Sequence, residues 1–155
     1  METTLVLIKP SGVQRGLIGE ILNRFERKGL TVVGMKLKQL DSEILREHYA
    51  HLVDRPFFPS LVRSMTATPV VCLALRGLDA VSVVRQMTGV TNSRLALPGT
   101  IRGDFGMSGQ ENIVHASDTP ENAALEVARF FAPGEIFDYK PCTLPAIYNP
   151  DEAAS

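Results

Sequence analysis

The spacing of apolar positions changes several times along the chain, and each change predicts an element. Thr3 to Ile8 is a short β-rich run, closed by the turn formers Lys9-Pro10-Ser11-Gly12, and predicts a first strand ending in a turn. Leu17, Ile18, Ile21, Leu22 and Phe25 recur at helical spacing, and Gly29 after Arg27 and Lys28 supplies the stop of an amphipathic helix. Val33, Met35 and Leu37 then alternate with Gly34, Lys36 and Lys38, as in a half-exposed strand. Asp41-Ser42 is expected to cap a helix whose face carries Leu45, Tyr49 and Leu52 and which must end before Pro56. A short helix from about Phe57 to Thr66 follows. Val70 to Leu75 is continuously apolar between Pro69 and Gly77, which predicts a central strand buried on both faces. Asp79 is then expected to cap a helix reaching Met87.

From Thr88 to Glu111 no period persists, and Gly89, Pro98, Gly99, Gly103, Gly106 and Gly109 interrupt the chain. A structureless stretch well beyond the roughly 12–15 residues of passive loops points to function. Asn112 to His115 supplies the last strand, Pro120 to Phe131 the last long helix, and Pro133-Gly134 ends it. No internal repeat is present. Helices alternating with about four strands fit an α/β (α+β) sandwich of the ferredoxin-like kind, a four-stranded, largely antiparallel sheet covered by helices. Residues 1–155 are expected to form a single domain with a Pro-rich C-terminal tail over 141–155. The order of the strands is not legible in the pattern.

Composition narrows the partners. The chain is 45% hydrophobic and 21% charged with a formal charge of −1, enough for a real core and too balanced to attract nucleic acid or an anionic membrane as a whole. Cys72 lies in the apolar run and Cys142 in the tail, which gives neither a disulfide framework nor a metal-ligand spacing. The opening Met1-Glu2-Thr3-Thr4 lacks a basic leader region and no apolar run is long enough to span a bilayer, so a cytoplasmic location is expected.

Candidate chemistry centres on His115, which ends an apolar strand just before a helix start where Thr119 caps and Pro120 takes the first position. Free N–H groups at such a start favour a phosphate. A lone histidine at a strand end is more often a packing residue, but Ser117 and Glu126 are placed to hold its ring in one tautomer and leave it nucleophilic. His48 and His51 are expected to be surface or packing residues without metal-ligand company. Lys9, Arg85 and Arg102 sit at element ends or in the long loop, where cations distant in sequence converge on one anion. Of Phe57 and Phe58, one is a core anchor and the other is free to be exposed. No Gly-x-x-x-x-Gly-Lys-[Ser/Thr] loop occurs, so a phosphate site would rest on histidine and basic side chains.

Five long words carry a family resemblance: Lys9-Pro10-Ser11-Gly12-Val13-Gln14-Arg15-Gly16-Leu17, His48-Tyr49, Asp54-Arg55-Pro56-Phe57-Phe58-Pro59, Pro98-Gly99-Thr100-Ile101-Arg102-Gly103-Asp104-Phe105 and Asn112-Ile113-Val114-His115-Ala116-Ser117-Asp118. In order from about Thr3 to Tyr148, they closely resemble nucleoside diphosphate kinases. The resemblance implies ping-pong transfer of the γ-phosphate of a nucleoside triphosphate, typically ATP, to a nucleoside diphosphate through a pros-phosphohistidine at His115. It implies Lys9, Tyr49, Ser117 and Glu126 as further catalytic residues, the last two orienting the histidine. Nucleotide contacts would come from Lys9, Phe57, Leu61, Arg85, Thr91, Arg102 and Asn112, with Phe57 stacking on any base. Mg2+ would be held mainly through nucleotide phosphates, with no protein metal ligand. The tail from Tyr139 to about Pro150 resembles that of the family's homohexamers, tetramers being the other assembly.

Three positions depart from the family pattern. Ser11 replaces an aspartate, Ser93 replaces the proline after Asn92, and Ala116 replaces a glycine that matters only if that residue needs a positive φ. Activity is expected to survive all three, with the loop around Ser93 less restrained. A catalytically silent nucleotide-binding interaction module is the alternative, opposed by the complete set of matched catalytic positions. A ferredoxin-like RNA-binding domain is a third, disfavoured by the near-neutral charge and the lack of an aromatic strand motif.

Overall fold

The protein is described here by a computed structural model, which covers residues 1–153. The first strand, β1 (Glu2–Ile8), runs straight into a short helix, α1 (Pro10–Gln14), followed by α2 (Ile18–Lys28) and β2 (Thr31–Lys38). The cluster expected to make a turn after β1 instead starts a helix, because Pro10 occupies its first position with φ already suited to it. Gly29 ends α2 in the left-handed conformation, φ 103°. Next come α3 (Ser42–His48), a 3-10 turn over Ala50–Leu52, α4 (Phe58–Met65) and β3 (Val70–Gly77). Asp41 caps α3 by accepting the Ile44 N–H at 2.9 Å. Asp79 precedes α5 (Ala80–Thr88) but does not cap it with its side chain, since its own backbone is left-handed at φ 50°.

The stretch without periodicity is not structureless. A 3-10 turn over Ser93–Leu95 and α6 (Ile101–Phe105) lie within it, each capped by a side chain: Asn92 Oδ1 accepts the Arg94 N–H and Thr100 Oγ1 the Gly103 N–H. Both elements are too short to leave a helical period in the sequence. β4 is only Val114–Ala116, and α7 (Pro120–Phe130) follows, capped by Thr119. The tail holds two single turns, α8 (Leu144–Ile147) and α9 (Pro150–Ala153).

The strands form one antiparallel sheet in the order β2-β3-β1-β4, so the fold is the expected ferredoxin-like α/β sandwich. Between β2 and β3 the helical pair α3 and α4 takes the place of a tight hairpin. Alternate residues of the inner strands feed two cores. Leu5, Leu7, Cys72 and Ala74 pack with Leu45, Phe58, Met65 and Phe130 on one face, and Val6, Ile8, Leu73 and Leu75 with Ile21, Phe25, Val84 and Ile101 on the other. Burial on both faces is why β3 reads as unbroken apolar sequence.

β2 does not follow its expected alternation. A bulge between Val32 and Gly34 shifts the register, so Val33 is buried while Met35 and Leu37 stand exposed on the opposite face of this edge strand. Pairing with the central β1 carries β4 to the other edge, Leu7 facing His115. Among the described residues no helix is long and apolar enough to cross a membrane.

Candidate active site

A cleft of about 910 Å³ opens beside β4. Ten of the expected residues line it: Lys9, Tyr49, Phe57, Leu61, Arg85, Thr91, Arg102, Asn112, His115 and Glu126. Segments more than 100 residues apart meet here, as in the bond between Lys9 and Asn112. Ser117, the remaining expected residue, is fully buried behind them.

His115 is gripped at one nitrogen. Its Nε2 lies 2.9 Å from Glu126 Oε2, and Ser117 Oγ donates to the same oxygen at 2.7 Å while accepting the Leu5 N–H at 3.3 Å. Ser117 therefore acts on the carboxylate and not directly on the ring. Burial works against the Glu126 charge, but the bonds from His115 and Ser117 outweigh it and hold the carboxyl down at about 2. An ionised Glu126 accepts a proton bond, so Nε2 carries the hydrogen and Nδ1 keeps its lone pair.

Lys9 Nζ donates to Asn112 Oδ1 at 2.6 Å and to the Gln110 carbonyl at 3.4 Å. Burial, then the charge of Arg102, bring its ammonium down to about 8. Asn112 is buried and committed at both ends, its Nδ2 donating to the Thr91 carbonyl at 2.9 Å. Arg102 is committed as well. It donates to the carbonyls of Asn112 (3.2 Å), Gly89 (2.7 Å) and Val114 (2.7 Å), tying the long loop to β4 while its charge faces the cleft. Burial and neighbouring Arg85 lower its pKa to about 10.

Arg85 itself is exposed, and its side chain makes no hydrogen bond or ion pair among the described residues. Three cations, one of them unengaged, thus converge where an anion would lie. Phe57 is 46% exposed at the cleft mouth, whereas Phe58 is buried in the core. The helix start beyond His115 contributes less positive charge than expected. Asp118 lies there, accepting from Asn122 Nδ2 at 2.7 Å, and the cationic lining comes from Lys9, Arg85 and Arg102 instead.

Ile113 is a β-branched residue at φ 75°, a strained conformation that costs about 1–3 kcal/mol. It persists because its carbonyl accepts the Lys9 N–H at 2.8 Å and its side chain is fully buried. Ala116 shows no positive φ, so alanine is accommodated there without strain.

Sequence reasoning gave His48 only a surface or packing role and did not single out Arg129. His48 is 6% exposed, not a surface residue, and its ring meets that of His115 at 4.5 Å between centroids and 77° between planes. Arg129 donates to His48 Nδ1 at 3.0 Å and to Glu47 Oε1 at 3.0 Å. Arg129 was discoverable, because it stands one helical turn after Glu126 and so on the same face of α7. Burial first, then the neighbouring His115, push the His48 imidazole down to about 3.

His48, His115 and Glu126 bring three possible ligand atoms within 4.8 Å, a spacing that invites a metal ion. Arg129 argues against it. A guanidinium only donates, so His48 Nδ1 must accept and Nε2 must hold the proton, leaving no lone pair for a cation. The Nε2 atom and the buried Tyr49 hydroxyl are both without partners, at a cost of about 1–3 kcal/mol each. The cleft's carboxylates, Glu47, Asp118 and Glu126, are all engaged.

The ferredoxin-like sheet thus presents an imidazole anchored on one side to a cleft where cationic side chains converge. Residues 2–136 match the family model described as "Nucleoside diphosphate kinase". The chain is 57% identical over 152 residues to a nucleoside diphosphate kinase of Parabacteroides distasonis, covering 98% of this chain and 99% of that one. It is 49% identical over 148 residues to nucleoside diphosphate kinase B of Bos taurus, covering 96% and 97%. A solved halophilic nucleoside diphosphate kinase from Halobacterium salinarum, in complex with CDP, superposes with a TM-score of 0.93 at 43% identity, covering 96% of this chain and 99% of that one. The chain belongs to the nucleoside diphosphate kinase family.

Proposed function

We propose that the protein transfers the γ-phosphate of a nucleoside triphosphate to a nucleoside diphosphate by way of a phosphohistidine on His115 Nδ1. The observation that carries this is the one-sided anchoring of His115: Glu126 takes Nε2–H and leaves the Nδ1 lone pair for phosphorus. As the Nδ1–P bond forms, the bond from phosphorus to the β,γ-bridging oxygen breaks, and the diphosphate leaves with that electron pair. The ring becomes cationic, with Nε2–H retained against the Glu126 carboxylate. A second diphosphate then reverses the step with its own terminal oxygen. Transfer through a loose transition state needs alignment and charge neutralisation more than covalent help, which suits Lys9, Arg85 and Arg102. Tyr49 offers its unpartnered hydroxyl to the same phosphoryl oxygens, and Thr91 lies within reach as a further donor. Phe57 stacks on the base with Leu61 below it, a contact indifferent to base identity.

The engaged carboxylates fit a magnesium ion that arrives on the nucleotide, held by phosphate oxygens and not by protein ligands. Bound there, it supplies further neutralisation of the phosphate charge. Residues 1–155 act as a single domain, and the protein works in the cytoplasm as a homo-oligomer, with a hexamer favoured over a tetramer. Exposed Met35 and Leu37 on edge strand β2, and Leu95, Leu97 and Met107 on the long loop, support assembly.

Intact mass after mixing with ATP and magnesium, then after excess dTDP, tests the cycle. An acid-labile phosphoryl gain at His115 that disappears as dTTP forms is expected, with His115→Ala folded and unlabelled. Folded wild-type protein that binds ATP without labelling would instead make the chain a silent nucleotide-binding module.

A further inference from the structure

Cβ and Nε2 lie nearly opposite one another on the His115 imidazole, so a ring held at Nε2 by Glu126 remains free to swing about the line joining them. Nδ1 lies off that line, and any such swing carries the nucleophile away from the phosphorus. Hydrogen bonding alone therefore leaves one angle of His115 unset. Two rings close that freedom by packing edge-on to His115: His48 at 4.5 Å and 77°, and Tyr49 at 6.0 Å and 84°. His48 is in turn wedged against Tyr49 at 4.6 Å and Phe130 at 5.0 Å, so it cannot yield.

We propose that His48, locked as a neutral tautomer by the Glu47–Arg129 pair, is a positioning residue that holds the His115 ring at the angle needed for attack. The inference rests on His115 being the phosphoryl acceptor. Two features of the site make the assignment more than packing. The Arg129 bond at 3.0 Å to Nδ1 demands an unprotonated nitrogen there, and so keeps positive charge off the ring that faces His115 just as His115 becomes cationic. His48 also leaves its own Nε2 without a partner, which a residue selected for packing alone would not need to do. The groups facing His48 are His115 and Glu126 across the cleft, Arg129 on α7, Glu47 behind Arg129, and His51 and Tyr49 nearby on its own segment. Arg129, His115 and His51 oppose its protonation, and Glu126 favours it.

Single-turnover phosphorylation by ATP and magnesium, read beside nucleotide affinity and thermal stability, tests this. His48→Phe keeps a neutral ring wall without the Arg129 bond, and His48→Gln keeps a polar partner for Arg129 without the wall. Phosphorylation is expected to stay within about threefold of wild type for Phe and to fall about 10- to 100-fold for Gln, with nucleotide affinity unchanged in both. Arg129→Met, which removes the donor that demands an unprotonated Nδ1 and one of the charges opposing protonation of His48, is expected to shift the acid limb of the phosphorylation rate upward in pH, by an amount that the burial of His48 still limits. A Gln variant as fast as wild type, a Phe variant as slow as Gln, or an unmoved acid limb in Arg129→Met overturns the proposal. Failure of wild type itself to label at His115 would overturn the phosphohistidine reading beneath it instead.

Discussion

Replacing Ser93 by the proline usual in the family tests how the long loop is held. Ser93 opens the 3-10 turn over Ser93–Leu95, and Asn92 before it is extended with ψ 108°, the conformation that a following proline requires. Proline would remove the Ser93 N–H, whose bond to the Ser108 carbonyl is long at 3.4 Å, at a cost of about 0.5 kcal/mol. It would also remove a buried Oγ that has no partner, a gain of about 1 kcal/mol at the low end of the range for such groups. Fixing φ narrows the unfolded ensemble and adds about 0.4–1 kcal/mol. The net gain is about 1 kcal/mol, or roughly 2–4 °C in Tm for a domain of this size. Urea and thermal unfolding at one fixed protein concentration measure it, because assembly makes apparent stability concentration-dependent. Ser93→Ala separates the hydroxyl from the ring and should recover only the Oγ part. A proline variant less stable than wild type, beside an alanine variant that is not, would show that the Ser108 bond outweighs both gains and refute the reasoning.

Lys9 is buried with its ammonium lowered to about 8, so below that pH the folded state carries the full cost of a buried charge. Between about 8 and the ordinary 10.5 the unfolded chain holds more protons, and stability rises with pH. Lys9→Met should remove this pH dependence, so its stability relative to wild type is highest near pH 7, where relief of the buried charge is partly offset by the donor lost to Asn112 Oδ1, and falls as pH climbs through that window, with phosphoryl transfer lost. An advantage that grows with pH would refute the sign. Glu126→Gln removes the charge that fixes His115 and should slow phosphorylation by about 10²-fold with little change in nucleotide affinity, whereas a rate within about threefold of wild type would make the carboxylate dispensable. Gly29→Ala forces a side chain into φ 103° with its Cβ 2.6 Å from Ile147 Cγ2, so a loss of about 1–3 kcal/mol is expected together with faster proteolysis of the tail. Unchanged stability and an intact tail would show that Ile147 moves aside freely.

Elements whose burial repeats at their own period were legible in the sequence. β3 announced itself by apolar continuity, and α2 by helical spacing and the glycine that ends it. β2 misled because one bulged residue inverts the faces of everything after it, and an alternating pattern holds no trace of where a bulge sits. α1, α6 and the 3-10 turn at Ser93 were hidden because one or two turns do not establish a period, and capping alone is ambiguous. The residues of the cleft were named through the family resemblance and prove to converge, yet their division of labour was not legible. Arg102, expected to serve the phosphate, spends three donors on backbone carbonyls. For His48 the packing half of the surface-or-packing reading held, but its contact with His115 was not legible, because that residue lies 67 positions away and no local pattern encodes it.

The central place of β1 has a consequence for biosynthesis. Its partners lie at Val70–Gly77 and Val114–Ala116, so β1 leaves the ribosome before both and waits for more than 100 further residues before its second edge is paired. Glu126, which holds His115 Nε2, is made later still. Nascent chains that end before α7 carry His115 without the Glu126 contact at Nε2. Until β4 is made, one edge of the apolar first strand stays unpaired, and the nascent chain passes through a stage open to non-native strand pairing that the folded sheet closes.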